Sequence, residues 1–391
     1  MPSSLDPSAA SYALPPALTE RLLSPALIVY LDVVRTNIRT VLSHLGGDPN
    51  RWRPHVKTIK IPAVQAELVH AGIRHFKCAT PREADCLARV LDAGGCSGDV
   101  LLAYPLVGPG LERLAEVASS HPHVRFSVLV ESPEAAREAP ATLGLFVDLN
   151  GGMDRTGIPL SSPDTIDATF DAAGPRLRGL HAYDGDRSEP DPQARTRALE
   201  RSYASLEALV RRQMARGHSV PELITAGTPA FLDAARTRAF EGLAETQHRV
   251  SPGTVVLHDL RSAEENPGLD LSPAALVFSR VISHPRSSRV TCDAGSKSMA
   301  AEAGHPIAAV LGRPEWVAQG PSEEHLPLRV ERGAAPARGT ELLLVPRHVC
   351  PTVNLAEQAV LIESDKAPRI VAVEARAHEI LLGNVSAIDT V

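Results

Sequence analysis

The chain has 391 residues, 43% of them hydrophobic and 22% charged, an ordinary composition for a globular enzyme of two domains or of one barrel with an appendage. The net charge is −6, no Lys/Arg-rich run occurs and aromatics make up only 4%, which argues against a nucleic-acid partner. Five cysteines without a tight spacing speak for a reducing compartment, no apolar run reaches membrane-spanning length, and residues 1–16 lack the basic and apolar regions of a secretory leader, so a cytoplasmic protein without a membrane partner is expected.

Residues 1–24 read as a flexible tail able to join a later β domain. Apolar strands and amphipathic helices then alternate. Strands are predicted at 26–31, 52–57, 75–79, 99–103, 124–130, 145–150, 177–183, 222–225 and 248–256, with helical patterns between them. Such alternation implies a parallel sheet, and eight or nine units in this length fit an α/β fold of the (β/α)8 TIM-barrel type over 25–265. An open doubly wound sheet would call for Gly-x-Gly-x-x-Gly after its first strand, and that motif is missing. Beyond about residue 270, short strand-like runs separated by Pro, Gly and charged turns predict an antiparallel β domain over 266–391.

Barrel chemistry sits where strands end. The stretch Trp52–Thr58 reads as a strand, which turns His55 and Lys57 to one face. A lysine inside a barrel mouth is costly unless paired, neutral or covalently bound, and a Schiff base to a carbonyl cofactor resolves that cost. Alone, Lys57 reads equally as a strand-end lysine snorkelling to water. The Gly-rich loop after residue 150 carries Arg155, suited to an anion or a pyridine ring. His181 and Tyr183 end another strand on a shared face. Thr225, Gly227 and Thr228 form a short loop whose hydroxyls and amides can cradle a dianion, with Gly253 and Thr254 as a second wall. His348 and Cys350, two apart at an expected strand end, can touch one borderline-soft cation and leave room for water or substrate.

Together, in this order and spacing, these pieces resemble the D-threonine aldolase / D-serine dehydratase group of fold type III pyridoxal phosphate enzymes, relatives of alanine racemase. The matching stretches run from Pro25 to about residue 380. They include Arg53-Pro54-His55-Val56-Lys57-Thr58, Lys77-Cys78-Ala79-Thr80, Arg155-Thr156-Gly157, Ala182-Tyr183-Asp184-Gly185, Gly227-Thr228-Pro229, Asp293-Ala294-Gly295-Ser296-Lys297 and His348-Val349-Cys350-Pro351-Thr352. The resemblance implies pyridoxal 5'-phosphate anchored on Lys57, Arg155 and Tyr183 on its ring, and Thr225, Gly227, Thr228, Gly253 and Thr254 about its phosphate. It further implies a divalent metal on His348 and Cys350, with His55 as an acid/base candidate, and a homodimer. The aldolases of this group usually carry His-x-Asp at the metal pair, whereas His-x-Cys here resembles the eukaryotic-type D-serine dehydratases and favours zinc over manganese or magnesium.

The expected activity is therefore a metal-assisted lyase of 3-hydroxy-D-amino acids. Retro-aldol cleavage of D-threonine stands first, and D-serine dehydration is the alternative. A non-catalytic cofactor carrier of this type would lack the β domain and the His-x-Cys pair, and both are present. A racemase would need a second base, usually a tyrosine of the β domain, yet the five tyrosines all lie at or before Tyr203.

Overall fold

The structure, a computed structural model, describes residues 12–185 and 191–380. The strands of its first half are β1 (Ala26–Tyr30), β2 (His75–Cys78), β3 (Gly98–Leu102), β4 (Val124–Val130), β5 (Gly144–Asn150), the two-residue β6 (Ile158–Pro159), β7 (Leu177–Tyr183), β8 (Glu222–Thr225) and β9 (Gln247–Val250). From β2 to β9 they pair in parallel in the order β2-β3-β4-β5-β7-β8-β9, and β6 pairs with the end of β5. Helices such as Pro81–Ala93 and Pro163–Ala173 lie between them, as right-handed parallel connections require.

One expected barrel strand is not a regular strand. Residues 52–56 touch β9 and β2 only through single bridges, Trp52 with Val250 and His55 with Lys77. The backbone bonds are Arg53 N–H to Val250 O (2.9 Å), Lys77 N–H to Pro54 O (2.9 Å) and Val56 N–H to Lys77 O (2.7 Å). Pro54 has no N–H to give, so the ladder cannot continue through it. The segment still serves as the eighth stave that closes the ring. Residues beyond Val56 leave it as a turn, so His55 and Lys57 do not share a strand face as alternation predicted.

The strand expected first in the barrel goes elsewhere. β1 lies in the second sheet, antiparallel to β10 (Ala275–Arg286) and parallel to β16 (Gln358–Ile362). Leu27 and Val29 join the barrel-side core, while Ile28 and Tyr30 join a cluster on the far side. A strand buried on both faces reads as an unbroken apolar run whichever sheet it enters. The second sheet contains β11 (Arg289–Cys292), β12 (Ala308–Val310), β13 (Trp316–Ala318), β14 (Leu326–Val330), β15 (Glu341–Pro346), β16 (Gln358–Ile362) and β17 (Arg369–Ala372). Strands β10, β11, β14, β13, β12 and β15 close on themselves into an antiparallel barrel around Val281, Val290, Leu326, Leu328 and Leu344. The described part of the N-terminal segment packs on this unit. Tyr12 donates to Pro273 O (2.8 Å) and accepts, through its carbonyl, from Tyr30 Oη (2.9 Å). The remaining residues expected as tail, 1–11, lie outside the described ones. No helix among the described residues is long and apolar enough to cross a membrane.

Candidate active site

The closing stave is set from below by a charge network. Arg53 is fully buried and donates to both oxygens of Glu222 (2.6 and 2.7 Å) and to Asp99 Oδ1 (2.8 Å). Burial opposes its charge, but the two carboxylates more than restore it and raise its basicity. Above this network the chain turns out of the stave and delivers Lys57, exposed, into a cavity of about 230 Å³. That cavity lies at the C-terminal ends of the strands, under the second barrel.

Its wall combines most of the expected residues. His55, Lys57, Tyr183, Gly227, Thr228, Gly253, Thr254, His348 and Cys350 all line it. Two do not. Thr225 is turned away and bonds His248 Nε2 through its hydroxyl (2.8 Å). Arg155 lines a neighbouring cleft of about 580 Å³ and reaches the site through Tyr183, its guanidinium carbon 5.2 Å from the ring centroid. The Gly227 amide is also committed, donating to Asp184 Oδ1 (3.0 Å). Asp184 further accepts from Tyr203 Oη (3.0 Å), and its burial lifts its carboxyl to about 6.

Two glycines are required by close packing. A Cβ on Gly253 would stand 2.2 Å from His55 O, and one on Gly227 would stand 2.8 Å from the Tyr183 ring. Beside them the Ser251 hydroxyl is buried with no hydrogen-bond partner in the protein and lines the same cavity. An orphaned hydroxyl facing a glycine-walled pocket fits a polar, planar ligand that brings its own hydrogen-bonding atoms.

His348 and Cys350 are not on a strand. His348 immediately precedes the helix Val349–Leu355, and Cys350 sits in its first turn. Pro346 ends β15, and Val349 N–H is held by Asp259 Oδ2 (2.9 Å), which fixes where the helix starts. The Cys350 sulfur meets Thr58 Oγ1 (2.9 Å) and Thr254 Oγ1 (3.3 Å), so the second domain is joined to the Lys57 turn at this atom. His348 Nδ1 pairs with Glu302. Burial opposes charge on both residues of the pair, yet their mutual contact outweighs it. Together with Glu302 it raises His348 to about 9, and His348 lowers Cys350. Among the described residues no cluster of three or more His, Cys, Asp or Glu is arranged to hold a metal ion. An imidazole with a carboxylate on its other nitrogen and a thiolate nearby are a donor set that fits an open site for a borderline-soft ion.

Sequence reasoning picked out His181 but gave no role to its partners Lys77 and Asp148. Lys77 Nζ lies 3.0 Å from His181 Nε2, and His181 Nδ1 lies 2.6 Å from Asp148 Oδ1. Lys77 is 3% exposed and lines the cavity. Burial, then the charge of Lys57, brings its amine down to about 7. Burial and the Lys77 charge also lower His181, against the pull of Asp148. The available signal was a lysine on a four-residue strand, the argument applied to Lys57. His55 is lowered far more strongly, by burial first and then by Lys57 and Lys77.

Comparison with known proteins fits this geometry. The family model for the alanine racemase N-terminal domain matches residues 29–257, and a model described as "Putative serine dehydratase domain" matches 274–362. The fold and the two matches define an alanine racemase-like enzyme of fold type III. Within that class the chain belongs to the alanine racemase N-terminal domain family, and the relatives it matches, an aldolase and a dehydratase, are lyases. It is 28% identical to a D-threonine aldolase from Arthrobacter sp., covering 91% of this chain and 93% of that protein. It is 26% identical to a D-threo-3-hydroxyaspartate dehydratase from Delftia sp. (strain HT23), covering 84% and 91%. The crystal structure of a D-threonine aldolase from Filomicrobium marinum superposes with a TM-score of 0.77 at 26% identity, covering 90% and 95%.

Proposed function

We propose that this protein is a metal-assisted, pyridoxal phosphate-dependent lyase of 3-hydroxy-D-amino acids, cleaving D-threonine to glycine and acetaldehyde. The observation that carries the reading is that Lys57, from the barrel, and His348 with Cys350, from the second domain, line one small cavity. Lys57 would hold the cofactor. Tyr183, with Arg155 behind it, would back its ring, and Thr228, Gly253 and Thr254 would receive its phosphate. Bound there, the cofactor supplies an electron sink for charge at the substrate's Cα. His348 and Cys350 would hold a zinc ion, manganese and magnesium being poorer matches to a thiolate, and such an ion supplies Lewis-acid chemistry at the 3-hydroxyl.

The protein's own residues do the rest. Glu302 orients the His348 ring, and Thr58 and Thr254 orient the Cys350 sulfur. Loss of the hydroxyl proton breaks Cα–Cβ, whereas loss of the Cα proton expels the hydroxyl. Cys350 favours the second outcome, D-serine to pyruvate and ammonia, because a thiolate at this position is the dehydratase-like departure from His-x-Asp. Our reading also includes a homodimer and a cytoplasmic location. The test is product identification after adding D-threonine or D-serine to cofactor- and zinc-loaded protein. Glycine with acetaldehyde supports the aldolase, pyruvate with ammonia the dehydratase, and turnover of neither rejects both.

A further inference from the structure

His348 and Cys350 are separated by one residue, and the backbone of that residue is gripped from the barrel side. Asp259 Oδ2 accepts the Val349 N–H (2.9 Å), which belongs to the peptide joining His348 to Val349. Asp259 Oδ1 accepts the Ser262 N–H (2.7 Å) and so caps the short helix Leu260–Glu265. A cap needs one acceptor, which serine, threonine or asparagine would also supply. A carboxylate has two, and here the second crosses to the other domain.

This placement is costly. Asp259 is fully buried, yet it belongs to the cavity wall. Burial raises its carboxyl, against the two N–H donors and the charge of His348. The residue before it, His258, is also fully buried and takes a φ of 53°, a left-handed conformation that residues other than glycine rarely adopt. Such strain persists only where the surroundings impose it, and it gathers at functional sites. Two other contacts join the same surfaces, Arg261 N–H to Arg347 O (3.1 Å) and the exposed pair of Arg347 with Glu264 (2.7 and 3.2 Å). Neither reaches residues 348–350.

We propose that Asp259 is the positioning residue of the pair, setting through Val349 the angle at which His348 and Cys350 meet a divalent metal. The assignment rests on the metal reading above and goes beyond it. The side-chain tips have holders of their own, Glu302 for the His348 ring and Thr58 with Thr254 for the Cys350 sulfur. Asp259 holds the backbone from which both side chains leave. Its negative charge also lies within electrostatic reach of both, and so of a cation held between them. One buried carboxylate thereby fixes the pair, which belongs to the second domain, relative to the barrel that delivers Lys57.

Asp259→Asn is nearly isosteric and tests this. It keeps one acceptor for a cap, turns an NH2 group toward the other N–H and removes the charge. In cofactor-loaded protein, zinc affinity measured by competition with a chelator should fall about 10- to 100-fold, the effect of losing a group that supports metal ligands. Cobalt(II) at saturation, in place of zinc, reports the pair itself, because its visible absorption follows the number and arrangement of its ligands. That spectrum should change in Asp259→Asn, which a loss of stability alone would not cause, while the cofactor absorbance stays. Glu264→Gln controls for a merely softened joint, since it cuts the ion pair with Arg347. It should leave zinc affinity within threefold of wild type and the cobalt spectrum unchanged. Zinc affinity of Asp259→Asn within threefold of wild type, or an unaltered cobalt spectrum, overturns the assignment. An equal loss in Glu264→Gln, or loss of the cofactor band along with zinc, overturns it too, because the joint as a whole then holds the pair. Should Asp259→Asn fail to fold, Asp259→Ser, which keeps the cap on a shorter side chain, takes its place under the same criteria. Wild-type protein that binds no zinc rejects the underlying reading and the assignment with it, a result distinct from a zinc-loaded wild type beside an unaffected variant.

Discussion

Replacing Arg53 with methionine removes the cation that ties the closing stave to the barrel floor. Arg53 makes charge contacts of 2.6, 2.7 and 2.8 Å with Glu222 and Asp99. Removing one partner of a buried ion pair costs about 3–5 kcal/mol, because the other charge is left without compensation. Here the lower end applies. Glu222 keeps Arg249 at 2.7 Å, and only Asp99 is left weakly matched, with the largely exposed Arg125 at 3.4 Å. A loss of about 3 kcal/mol lowers the melting temperature by roughly 6–12 °C, at about 2–4 °C per kcal/mol for a unit of barrel size. The pH dependence follows from Asp99. In the wild type its carboxyl is held low, by Arg53 against the opposing effect of burial, so its contribution is present above the unfolded value and lost as pH falls through the folded one. In Arg53→Met burial acts with little opposition and lifts that carboxyl above its unfolded value. Its contribution is then retained below the unfolded value and lost as pH rises through the folded one. The gap between variant and wild type should therefore be wider at pH 8 than at pH 5, and Arg53→Met/Asp99→Asn should recover part of it. Calorimetry of the three proteins at both pH values decides. A gap under 2 °C at pH 8, or one that does not narrow at pH 5, refutes the reasoning.

Three further outcomes are expected. Lys57→Ala should abolish the absorbance band of the bound cofactor; a retained band would reject Lys57 as the anchor. His348→Ala and Cys350→Ser should each reduce zinc stoichiometry after dialysis, measured by mass spectrometry, and lower turnover by at least tenfold, while cofactor absorbance stays unchanged. Gly253→Ala forces a Cβ to within 2.2 Å of His55 O, so it should cost roughly 1–3 kcal/mol by denaturant melt and weaken cofactor binding; unchanged stability and affinity would show that the turn yields freely.

How much of this was legible in the chain depends on the range of the interaction. The βα rhythm is local, since strand and helix periods differ within a dozen residues, so the parallel barrel and the antiparallel domain could both be read. The destination of β1 could not, because its residues are apolar on both faces and nothing within them selects the sheet. The broken stave was signalled by Pro54, an obstacle to regular pairing that the strand-like Trp52–Thr58 reading passed over. The expectation that His348 and Cys350 share a strand face failed for a related reason. Pro346 ends the strand, and the capping contact from Asp259, 90 positions away, starts a helix.

The site itself divides along the same line. Lys57, Tyr183 and the glycine loops were recognisable because each is a short contiguous motif. Lys77, His181 and Asp148 come from β2, β7 and β5, and only closure of the barrel makes them neighbours. Thr225 illustrates the converse, since it sits in the right motif but spends its hydroxyl on His248 from the adjacent strand. The consequence for mechanism is that the cavity's roof and floor are under separate control. Cys350 is held to the Lys57 turn by Thr58 and Thr254, whereas Lys77 is held by the barrel interior alone. A change in the second domain can therefore alter the pair proposed to act at the 3-hydroxyl without moving the Lys77 amine on the barrel side. That independence offers a physical route by which one scaffold could serve both carbon–carbon cleavage and dehydration.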